Sequence, residues 1–209
     1  MKYKLTTNTK RWAGVTLYQI EYLKSFAGIT KGELGGWIES ESNLSQDGDA
    51  RVSGDAHVFG SAHVFGSACV AGSAHVFGNA RVSGDAYVYG DAYVAGNAYV
   101  AGNAHVSGDA RVSGNAYVAG NAHVSGDAYV AGDAWVFAKA NFTKGHFIGG
   151  DDSGNIADIT DKTGSTYWEN QYVLGEYEIT PIEEPTITLT DDELLAECER
   201  RAISTKITK

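Results

Sequence analysis

The chain has 209 residues, a formal charge of -10 and two cysteines, Cys69 and Cys198, with no CxxC pair. The acidic balance argues against a nucleic-acid reader, whose footprint is basic, and two lone cysteines argue against a disulfide-built scaffold. No apolar run is long enough to span a membrane, and the opening MKYKLTTNTKRW has no apolar signal core, so a cytoplasmic protein without membrane contact is expected.

Residues 1–47 form a first, non-repetitive unit, expected to be a small β cap. KYKLT and VTLYQIEYL read as strands, the second alternating Val15, Leu17 and Ile20 with polar neighbours. In GELGGWIESESNLSQ, the apolar Trp37, Ile38 and Leu44 are expected to plug the open end of the repeat region that begins near Gly48. A stacked repeat needs such a cover, because an exposed strand edge invites aggregation.

From about Gly48 to Phe137 a six-residue unit, A-x-V-x-G-[D/N/S], recurs. Valine falls at every sixth position from Val52 to Val136, and Phe142 and Ile148 keep the same phase. Within a unit, Ala-x-Val-x alternates with period two, which marks a short strand with Ala and Val facing in and both x positions facing out. Gly followed by Asp or Asn tolerates positive φ and makes a corner. A short strand and a corner every six residues give a coil that advances, each strand lying parallel on one from the previous turn. Each buried Val then contributes roughly 1.5–3 kcal/mol, before the ordering entropy of the chain is subtracted. The charges between 48 and 137 are Arg51, Arg81 and Arg111 against Asp residues that all sit at corners; the outward positions are mostly His, Tyr, Phe, Ser and Ala.

These units resemble the hexapeptide repeat of left-handed parallel β-helix proteins, in which an aliphatic residue is followed four positions later by a small one, as in Val88 and Ala92. The resemblance covers about residues 48–150. It implies an all-β fold with three hexads per coil, a triangular prism rising one coil every eighteen residues. The position after Val departs from the family, which often has Gly, Ala, Glu or Asp where this chain has Phe, Ser, Tyr or Ala. The opening segments KYKL, TLY, LGGWIE and NLSQ are also similar to the start of hexapeptide-repeat proteins of phages and prophages. That similarity implies a viral or prophage origin, and host cytoplasm as the location, without carrying chemistry onto particular residues.

Beyond the strict repeat, NFTKGHFIGG and QYVLGEYEI read as strands, and 151–209 as a C-terminal β segment ending in a short helix. PIEEPTITL reads as a linker. Thr190 with Glu193 forms a capping box ahead of Leu194, Leu195 and Cys198 on one helical face.

If residues eighteen apart lie above one another at about 4.8 Å, the outward positions form three ladders. One is Arg51, Cys69, Tyr87, His105, His123; another is His57, His75, Tyr93, Arg111, Tyr129; the last is His63, Arg81, Tyr99, Tyr117, Trp135. The rings are candidate ligand- or partner-binding residues; the plainer alternative is self-stacking surface, or the inner wall of a trimer. Two stacked histidines do not make a zinc site, which needs three or four ligands, so no metal and no cofactor is expected. The Asp91, Asp109, Asp127 column reads as solvated corner residues. No P-loop, dinucleotide fingerprint or G-x-S-x-G is present.

The expectation is therefore a non-enzymatic oligomeric binding or scaffold protein. As many members of the resembled family are trimers, a trimer is favoured. Its partner would be a host protein or a nucleotide-like signalling ligand, and counter-defence is one such role. The alternatives are a hexapeptide-class acyltransferase, which would need a loop interrupting the prism, a zinc hydratase, or an acidic DNA mimic, for which the corner Asp residues are too sparse.

Overall fold

Burial explains why the hexad folds as it does. In the computed structural model, which describes residues 1–136, 141–143, 146–149 and 171–174, every repeat Ala and Val from Ala50 to Val136 is buried. Each hexad from Arg51–Val52 to His123–Val124 contributes a two-residue strand that lies parallel to the strand eighteen residues on; the next strand, Tyr129–Gly132, is four residues long. Val52 pairs with Val70, Val58 with Val76 and Val64 with Val82. The strands sort into three sheets, giving a nearly all-β solenoid of stacked coils around a Val and Ala core. Among the described residues the only helical turn is 3-10, Glu41–Asn43.

The positive φ at each corner is carried by glycine alone. Repeat glycines from Gly48 to Gly132 have φ between 57° and 73°, while the only other described non-glycine residues with positive φ are Ala13 and Ala27. The pair makes the turn as expected, with Asp or Asn as its second central residue, but only glycine takes the left-handed conformation. The Asp and Asn amides tie coil to coil, as when Asp85 N–H donates to the Gly102 carbonyl at 2.8 Å.

Strands β1 (Tyr3–Trp12), β2 (Val15–Tyr22) and β3 (Leu34–Ile38) form an antiparallel cap. β3 then pairs parallel with His57–Val58, so the cap continues one wall of the solenoid. Ile38 and Leu44 are buried as expected. Trp37 is not part of the plug. It sits half-buried on the outer face, opposite His57 in register and beneath the Lys10 ammonium at 4.3 Å.

Tyr3, Ile20 and Tyr22 complete the plug, and polar groups finish it, because the first coil presents backbone groups that no earlier coil can satisfy. The Tyr22 hydroxyl accepts from Val52 N–H and donates to the Val52 carbonyl, both at 2.9 Å. Tyr3 donates to the Leu44 carbonyl at 2.7 Å, and Asn43 Nδ2 to those of Gly60 and Ala62 at 2.9 Å. Lys2 Nζ donates to the Ala50 carbonyl at 2.7 Å. Burial lowers the Lys2 pKa to about 8, so the ammonium is still charged at neutral pH.

At the other end, Phe142 pairs with Val124 and keeps the hexad phase. Ile148 does not: Val130 pairs with Phe147, and Ile148 with Ala131. The chain reaches this strand one residue early, and such a slip exchanges the two faces. Phe147 therefore takes the inward place, stacked on Phe142 at 5.2 Å. Gln171–Leu174 pairs antiparallel with His146–Gly149, extending the wall that begins with the cap. The expected linker and the helix from Thr190 lie outside the described residues. Among those described, no helix is long and apolar enough to cross a membrane.

Candidate functional site

The residue before each repeat Val faces outward, and parallel register repeats it directly above its counterpart. The first wall carries His57, His75, Tyr93, Arg111 and Tyr129. The second carries Arg51, Cys69, Tyr87, His105 and His123. The third carries His63, Arg81, Tyr99, Tyr117 and Trp135. All the candidate rings are thus gathered into three vertical runs.

The rings stack on one another, so their edges rather than their faces point outward. Tyr87 and His105 lie 5.2 Å apart at 13°, His105 and His123 4.7 Å apart at 11°, and Tyr99 and Tyr117 5.2 Å apart at 24°. Trp135 continues the third run, 5.3 Å from Tyr117. The guanidiniums join in: Arg111 lies over Tyr93 at 5.7 Å, and Arg51 reaches past Cys69 to the Tyr87 hydroxyl at 3.2 Å. Cys69 is buried, which raises its thiol pKa against the opposing pull of Arg51. Burial lowers the pKa of His63, with Arg81 adding to the effect, and of His105, with His123 adding.

Two features escaped the sequence reading. The residues after Val form ladders of their own, in which Phe59 and Phe77 stack at 5.0 Å and 3°. Where this position is small, a ring leans over it, as Tyr99 does to meet Ser83 Oγ at 2.8 Å. The other is an asparagine column at one corner: Asn79, Asn97, Asn115 and Asp133 hydrogen-bond in sequence at 2.9, 2.9 and 2.8 Å. Counting by eighteens at every hexad position, not only before Val and along the Asp91 corner, would have found both.

The first wall is not uniformly exposed. His57 and His75 retain 2% and 7% of their surface, which corrects the expectation that both face solvent. The cover is Trp12, from the end of β1, whose ring lies 4.8 Å from His57 and 4.9 Å from His75. The two imidazoles are 4.6 Å apart, and His75 stacks on Tyr93 at 4.9 Å. None of the four ring nitrogens has a hydrogen-bond partner. Burial, reinforced by the Lys10 charge and by His75, lowers the His57 pKa to about 4, with Asp55 opposing. Burial also lowers that of His75; the Ser73 backbone, close to the ring though outside hydrogen-bond geometry, opposes it.

Among the described residues, no three His, Cys, Asp or Glu side chains converge as metal ligands. The histidine pairs remain pairs. The arrangement offers stacked ring edges, hydroxyls and imidazole nitrogens on a rigid frame, which suits recognition of a surface or a planar group.

The fold and its ladders define a repeat β-solenoid. The YdcK β-solenoid repeat family matches residues 110–126, just under one coil of the prism. No curated protein matches the chain.

Proposed function

We propose that this chain is a non-enzymatic, self-associating binding or scaffold protein, a trimer in which one ring-bearing wall is shared between copies and the others meet a partner. The observation that carries the reading is the third wall, where Tyr99, Tyr117 and Trp135 stack in a continuous run. Uncharged ring edges on a preorganised frame lose little conformational entropy on association, and aromatic residues are enriched in interface cores. We take the coil as left-handed, after the hexapeptide-repeat proteins it resembles. The similarity of the N-terminal segments to phage and prophage proteins favours a host protein or a nucleotide-like signalling ligand as the partner, with neutralisation of a host defence as the role.

Sedimentation velocity on the full chain tests the association. The expected species contains three chains of 22.2 kDa, and Tyr99→Ser with Tyr117→Ser shifts it toward monomer. A monomeric wild type at micromolar concentration, with nothing co-purifying from host cells, overturns the proposal. Bound zinc, or a rise in melting temperature with coenzyme A, would return the hydratase or acyltransferase alternative.

A further inference from the structure

The tip of the N-terminal hairpin runs past the end of β3, whose pairing with β2 reaches only Tyr18, Gln19 and Glu21. It lies instead over the first wall, held by two contacts of different chemistry. Lys10 sits on the Trp37 ring and forms an ion pair with Asp55. Trp12 covers His57 and His75 while keeping 41% of its own surface exposed. Two enclosed imidazoles with no hydrogen-bond partner on any nitrogen are unusual, since buried polar groups are nearly always paired. Neutral rings tolerate such a site at a cost; an imidazolium there would be a buried, unpaired charge.

We propose that the hairpin tip is a pH-sensitive strap, closed by Trp12 over neutral His57 and His75 and released when either ring takes up a proton. The charges around the pair favour release. From β1, Lys10 adds a like charge. Asp55, on the same coil, is already engaged by Lys10, and its pKa is lowered by that bond. Asp91 acts on His75 as the remaining nearby carboxylate. Trp37 and Tyr93 flank the pair without charge, and Arg111 lies against Tyr93. Release would uncover the first wall next to the cap for a partner.

The sign follows from the lowered folded values. Closure is fully favoured above the ordinary histidine value of 6.5 and is lost as pH falls toward about 4. Within that window His57 shifts the opening equilibrium about tenfold per pH unit, and His75 acts in the same direction.

Amide hydrogen exchange on the full chain, corrected for the intrinsic pH dependence of exchange, reads the strap directly. Residues 9–16 are expected to lose more than tenfold protection between pH 7 and pH 4.5, reversibly, while the hexad strands keep theirs. The double substitution His57→Phe, His75→Phe is expected to hold the tip closed across that range. Unchanged tip protection in the wild type, simultaneous opening of the coils, or a Phe variant that opens like the wild type would each overturn the strap. If the double variant does not fold, histidine NMR titration of the wild type decides. Imidazole signals titrating well below 6.5, in step with the Trp12 indole, support the strap; titration near 6.5 with a stationary indole rejects it.

Discussion

A repeat glycine meets two demands at once. Gly96 has a φ of 68°, and a Cβ there would lie 2.9 Å from the Gly114 carbonyl oxygen and 3.0 Å from its nitrogen. Gly14, at the hairpin turn, has a φ of 86° but nothing within 4 Å of that position. Alanine at either site costs about 1–2 kcal/mol for the left-handed backbone. At Gly96 it must also push two coils apart, adding about 1–3 kcal/mol. Urea unfolding is therefore expected to place Gly96→Ala about 3 kcal/mol below wild type and Gly14→Ala about 1 kcal/mol below it. Equal losses would mean that the coils yield freely at their corners. The same comparison marks a limit of the sequence. Gly, Asp and Asn all permit positive φ, so composition alone does not divide the work between them. The close approach of successive coils does, because it excludes a side chain at the bend and leaves the next residue's side chain free to stack.

Stacking at the corner makes the asparagine column a directional element. Each amide donates to the next coil, Asn97 and Asn115 also accept from the one before, and the run ends at Asp133, which accepts. Asn115→Asp removes the donor that Asp133 uses and sets two carboxylates one strand spacing apart. The expected loss is about 1 kcal/mol in low salt, diminishing as added salt screens the pair. An unaffected unfolding midpoint in low salt would show that the column adds nothing to stability. Spacing made the ladders before Val legible: once eighteen residues separate neighbours, the partners of Tyr87, Tyr99 and His105 follow by counting. Contacts that break the period were not legible. Trp12 reaches His57 only because the hairpin tip bends over the wall, and nothing in RWAGV encodes that direction. The shift to Phe147 follows from its lying five residues, not six, after Phe142, which no periodic reading anticipates.

Across the whole solenoid, the hexad is the unit of the core and the coil is the unit of the surface. All three walls use the same Ala and Val positions, so a hexad moved to the next wall still buries its Val. The outer ladders differ from wall to wall and are not interchangeable. Deleting one coil, residues 85–102, brings His105 onto Cys69 and Arg111 onto His75, and every later residue keeps its wall. Deleting one hexad, residues 91–96, keeps Val on Val but rotates everything beyond it by one wall, placing Tyr99 on His75 and Arg111 on Tyr87. Either deletion re-pairs one pre-Val position on each wall, with its neighbours after Val and at the corner, each pair worth roughly 0.2–1 kcal/mol. Both variants are expected to unfold cooperatively, since each keeps every remaining Val in a buried slot. Deleting residues 91–93 is different, since it brings Asn97 and its successors into the slots of buried Val, each worth roughly 1.5–3 kcal/mol. That chain must either extrude a bulge to recover the phase or lose the coils beyond the cut. Circular dichroism and urea unfolding of the three deletions measure the outcome. A three-residue deletion as stable as the six-residue one would show that the period of the valines does not hold the coils in register.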